Sequence, residues 1–156
     1  MTPRHCFLGF LLLLAYIIQD QYGLKWSGLV DLQDNAVYKQ ISGIILVVFI
    51  LHQWHLSLLR MQNKMATAHR ELKRHRWLGV YAPVFFYLHS HSFGYAYLFL
   101  LSSVYFSNFV VGLIHPIVCS FKRKAILNGW VTLHVGLSLF LTILLSYHIF
   151  ISYWYE

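Results

Sequence analysis

The sequence predicts an all-α integral membrane protein, a bundle of about five transmembrane helices, and three observations carry that expectation. Of the 156 residues, 58% are hydrophobic and 18% aromatic. Only 11% are charged, where a soluble domain carries about 25% to keep its surface wet. Apolar runs of membrane length recur along the chain, and the mean hydropathy is +0.57. Together these exclude a soluble enzyme with a conventional core, and they exclude disorder. They also change the meaning of the +7 net charge. In a soluble protein that balance would raise the question of nucleic acid; here the distribution of cations between membrane loops is the better test.

The first apolar run, Cys6 to Ile18, extends to about Tyr22. Pro3 suits the first turn of a helix and Thr2 can cap it. Arg4 and His5 are its only basic flank, and no small-residue cleavage site follows Ala15, so an uncleaved span over about 5–22 is expected in place of a signal peptide. Residues 19–40 are polar and turn-rich, a loop with room for a short surface helix. A second span covers about 41–59, and the basic connector 60–76 that follows is expected to be helical.

From Trp77 to Val118 the chain is apolar throughout, about twice the roughly 20 residues of one crossing. Two spans with a tight turn fit better. His89 to Tyr95, HSHSFGY, is the turn candidate, with Gly94 as hinge. That gives a third span over about 72–92 and a fourth over about 95–118, with Pro116 near its end. After the connector 119–127 a fifth span runs over about 128–154, and residues 1–156 form one transmembrane domain.

Charge then orients the bundle. With the N-terminus in the cytoplasm, Arg4, the six cations of 60–76, Lys122, Arg123 and Lys124 face inward, ten of the twelve cations. Lys25 and Lys39 stay outside with Asp20, Asp31, Asp34 and Glu156, so the C-terminus lies outside. The setting expected is a bacterial inner membrane or an organelle membrane. The basic charge is accounted for by membrane lipid and topology, and no nucleic-acid partner is needed.

Cys6 and Cys119 provide neither a disulfide framework nor metal-ligand spacing. The ten histidines are the anomaly, because imidazole is expensive in hydrocarbon. His134 and His148 are 14 residues apart, which places both rings on one helix face, about 21 Å apart along the axis. His75 and His89 repeat the spacing across the third span. Both spans run from inside to outside. His75 can therefore pair with His134 at the cytoplasmic side, and His89 with His148 at the outer side. Two facing imidazoles at each of two depths is what a pair of b-type haems requires, one ligand from each face of the macrocycle. Gly79 and Gly136 lie near these ligands, where a missing side chain lets a flat group approach the backbone. The competing reading is helix glue or a proton relay, the ordinary use of polar side chains between membrane helices. His91 rivals His89, because the turn lies there. His52 and His55, one turn apart, suit glue, a proton path or a quinone site. His115 reads as a surface residue, and the His55–His69 spacing as coincidence.

The stretch HRWLG, His75 to Gly79, followed by His89, resembles the third-span signature of the ferric-reductase-like transmembrane domain superfamily. Trp130 with His134 and His148 resembles its last span. The resemblance covers about residues 70–154. That superfamily includes ferric reductases, NADPH oxidases and the haem-binding membrane subunit of a bacterial methionine sulfoxide reductase system. It implies two stacked b haems held by His75, His89, His134 and His148, with Gly79 and Trp130 beside them. Family members commonly have six spans where five are read here. The sequence contains no G-x-G-x-x-G fingerprint, so a flavin or NAD(P)H domain is expected only on a separate chain.

The expected function is transmembrane electron transfer through two non-covalent b haems, as a small subunit of a larger redox complex and not as a self-sufficient enzyme. Two alternatives stand beside it: a quinone-reactive di-haem anchor of a respiratory dehydrogenase, and a cofactor-free structural membrane subunit. The topology is directly testable. With Cys6 and Cys119 replaced, an impermeant thiol reagent applied from outside should label Asp31→Cys and miss Arg123→Cys; the reverse pattern would invert the bundle.

Overall fold

The computed structural model describes residues 3–115 and 123–154. Thr2, Pro116, Cys119, Lys122, Glu156 and the end of the expected fourth span lie outside them. The described residues form seven α-helices and no strand. They are α1 Pro3–Tyr22, α2 Ser27–Asp34, α3 Ala36–Met61, α4 Met65–Gly79, α5 Ala82–His89, α6 Tyr97–Leu113 and α7 Lys124–Trp154. Two of these, α3 and α7, are each long and apolar enough to cross a membrane. The pair α1 and α2, bent by 83°, adds a third if it counts as one broken span. The helix α6 has 17 residues, about 26 Å of rise against a hydrocarbon core of about 30 Å.

The chain divides into two compact units, Met1–Ser92 and Phe93–Glu156. In the first, local chemistry sets each helix end. The chain leaves α1 through Gly23 at φ +61, and Leu24 N–H returns to Gln19 C=O at 3.0 Å, which satisfies a terminal carbonyl. Asn35 caps α3, its side-chain oxygen accepting from Tyr38 N–H at 3.1 Å. Asn63, at φ +57, turns α3 into α4, and the connector expected to be helical is indeed helical from Met65. Leu56, Leu59, Ala68 and Leu72 pack that hairpin together.

The third span expected over 72–92 is not one helix. It breaks between α4 and α5, at Val80 and Tyr81. The cause is Pro83, which lies in the first turn of α5. Its ring has no N–H to donate and would collide with the carbonyl four residues back, that of Gly79, where α4 stops. Among the described residues Val80 and Pro83 are the largest fully buried side chains, so the break is packed into the interior.

The far end of α5 has its own demand. The last carbonyls of a helix have no partner within it. Here neighbouring helices supply donors. Gln33 of α2 is 2% exposed, and its Nε2 donates to Tyr87 C=O at 2.6 Å and to Leu88 C=O at 3.3 Å. Tyr38 of α3 donates its hydroxyl to Leu88 C=O at 2.9 Å. Tyr16 of α1 donates to Ser90 C=O at 3.5 Å, its ring packed edge-on against Phe86 and Tyr87. Phe49 and Phe85 stack at 4.5 Å between α3 and α5. The turn expected at His89–Tyr95 follows, with Gly94 at φ +76.

The second unit is the pair α6 and α7. Asn108 Nδ2 donates to Ser138 Oγ at 3.0 Å, and Trp130 Nε1 donates to Val111 C=O at 2.7 Å, linking the two helices. Only Leu141 of α7 is buried. A helix apolar all round and this exposed is suited to lipid or to another apolar surface.

Removing the donors at the end of α5 should therefore cost stability. Gln33→Leu takes the side-chain donor from Tyr87 C=O, leaves Leu88 C=O with Tyr38 alone, and removes the acceptor of His91, an expected loss of about 1–3 kcal/mol. Tyr38→Phe removes one of the two donors to Leu88 C=O, in an exposed hydrogen bond, and should cost less than about 1 kcal/mol. Thermal unfolding in mild detergent checks both; equal effects would contradict this division of labour.

Candidate functional site

The structure places the four histidines two to a unit: His75 and His89 in the first, His134 and His148 in the second. His75 is half-buried near the end of α4, and His89 is the last residue of α5. The common helical face expected for this pair is not formed, because the Pro83 break separates them. Gly79 ends α4, and a Cβ built on it would meet nothing within 4 Å.

His89 is held from α3. Its Nδ1 lies 3.1 Å from Ser42 Oγ. A Cβ on Gly43 would stand 3.2 Å from His89 Cε1, so glycine is what lets the ring lie against this helix. His91, the rival, has its Nδ1 2.8 Å from Gln33 Oε1. The Gln33 amide nitrogen already donates to two carbonyls, so Oε1 is the acceptor and His91 Nδ1 carries the proton. Both imidazoles at the end of α5 are thus located by side chains of α2 and α3.

On α7 the 14-residue spacing holds, because the helix is unbroken from Lys124 to Trp154. His134 and His148 are both half-buried and share one side, about 21 Å apart along the axis. The His134 ring faces Gly112 of α6, where a Cβ would stand 3.4 Å from Cε1. Trp130 stacks on it, with ring centres 5.5 Å apart and planes 9° from parallel. His115 packs edge-on against the other side of the arrangement, 4.7 Å from Trp130. It is half-buried. His148 lies 6.2 Å from the Tyr97 ring. A Cβ on Gly136 would meet nothing within 4 Å.

His52 and His55 keep ring centres 6.3 Å apart on α3, with His55 exposed. Among the described residues no group of three or more His, Cys, Asp or Glu side chains could hold a metal ion. An axial haem site asks for less, one imidazole on each face of the macrocycle.

Sequence reasoning missed Ser42, Gly43, Gln33, Asn108 and Gly112. Ser42 and Gly43 are adjacent small residues in a helix, and Gly112 is a small residue in an apolar one. That pattern signals close approach without naming the group that approaches. The chain matches no protein-family model, no curated protein and no solved structure.

Proposed function

We propose that this chain carries electrons across a membrane through two non-covalent b haems, as a subunit of a larger redox complex. The observation that carries the reading is α7: two half-buried imidazoles on one side of an unbroken, apolar helix of 31 residues, with the His134 ring set against Gly112 and Trp130. The α6–α7 pair already has polar links through Asn108–Ser138 and Trp130–Val111. His134 is thus more than the glue that such a hairpin needs.

In this reading α1, α3, the α4–α5 segment, α6 and α7 are five crossings, with the N-terminus cytoplasmic and the C-terminus outside. The membrane is that of a bacterium or an organelle. His75, His89, His134 and His148 are the ligands in this reading. The residues suit the group. Trp130 stacks on the His134 ring and fixes its plane. Open space at Gly79 and Gly136 admits a flat macrocycle close to the backbone. Bound haem supplies the one-electron redox chemistry. The chain fixes ring orientation, excludes water with aromatic and aliphatic side chains, and keeps each site at its own depth. Donor and acceptor belong to partner chains, a flavin or NAD(P)H domain among them, or to the quinone pool. The basic helix α4 carries His75, and such a partner or anionic lipid would dock along it.

The test is ligand removal. His134→Ala and His148→Ala should each abolish a different haem signal, with the other kept. Either variant, still folded and retaining both haems at unchanged potentials, would refute the assignment.

A further inference from the structure

We infer that Ser42 is a positioning residue for His89: its hydroxyl oxygen holds the imidazole in the tautomer that offers Nε2, and through that hydrogen bond it sets the potential of one haem. The inference rests on the haem reading above and names the residue that tunes one of its two sites.

Ser42 is buried in α3, 6% exposed. Its hydroxyl has one proton, directed to the Lys39 carbonyl of the preceding turn at 3.2 Å. A hydroxyl oxygen whose proton is committed can only accept. The 3.1 Å contact with His89 Nδ1 therefore places the imidazole proton on Nδ1 and the lone pair on Nε2. The ring has little freedom to reverse this. A Cβ at Gly43 would stand 3.2 Å from Cε1, so the imidazole lies as close to α3 as a glycine allows. The Leu88 carbonyl beside it is fixed by Tyr38 and Gln33.

An acceptor on the remote N–H of a ligating imidazole raises its basicity. A more basic ligand favours ferric over ferrous iron and lowers the potential. At His91 the corresponding acceptor is Gln33, whose amide also holds the end of α5. Ser42 is the acceptor that acts on the ring without carrying the scaffold.

The experiment is a redox titration of the purified, haem-loaded membrane protein, followed by absorption. In Ser42→Ala the ferric preference of one haem should fall about tenfold, which raises its potential by about 59 mV for a one-electron couple, while the other haem stays put. Ser42→Thr keeps the hydroxyl and should restore the original value. Should Ser42→Ala not accumulate, Ser42→Cys, a weak acceptor, should move the same haem in the same direction. Unchanged potentials, an equal shift of both haems, or a threonine variant that behaves like alanine would overturn the inference and leave the haem reading standing. A wild-type protein with no b-type spectrum would overturn both.

Discussion

A helix that stops inside an apolar segment must find donors for its last carbonyls, and that demand organises Met1–Ser92. In hydrocarbon each unmet backbone group costs several kcal/mol, so non-helical backbone is tolerated only where the protein itself supplies partners. Pro83 starts α5 and the HSHSFGY turn ends it after eight residues. Its terminal carbonyls then receive Tyr16 from α1, Gln33 from α2 and Tyr38 from α3. Two of those helices, α2 and α3, also hold His91 and His89. Scaffold and candidate site are thus built by one set of contacts, and the imidazoles are oriented because the carbonyls beside them are.

The α6–α7 unit solves a simpler problem. The long helix α7 has no proline and no break, so its backbone is satisfied internally along 31 residues. Gly112 of α6 lets the His134 ring come near, and polar side chains join the two helices where they meet. His134 sits at that meeting, between Gly112 and Trp130. The register that places His148 on the same side follows from helix geometry alone.

This contrast explains what the sequence made legible. All-helical structure, the apolar helices α1, α3 and α7, the helical connector and the turn at Gly94 follow from composition and periodicity. The His134–His148 register was readable because nothing interrupts α7. The His75–His89 register was not, because hydropathy passes smoothly through APVFFYLH and conceals the effect of Pro83 on backbone hydrogen bonding. Gln33 looked like one polar residue in a polar loop. Its partners, Tyr87, Leu88 and His91, are more than 50 positions away, and no local pattern announces such contacts. Ser42 was hidden for the same reason, since a single serine in a membrane helix usually bonds only to its own backbone.

The central claim, that this bundle exists to hold two b haems, is met most directly by one measurement. The protein is purified in mild detergent, and its dithionite-reduced minus oxidised absorption spectrum is recorded with a haem-to-protein ratio. A b-type spectrum at about two haems per chain is the expected result, one for each imidazole depth. A folded protein with no haem absorption would contradict the claim and leave a structural membrane subunit as the better description.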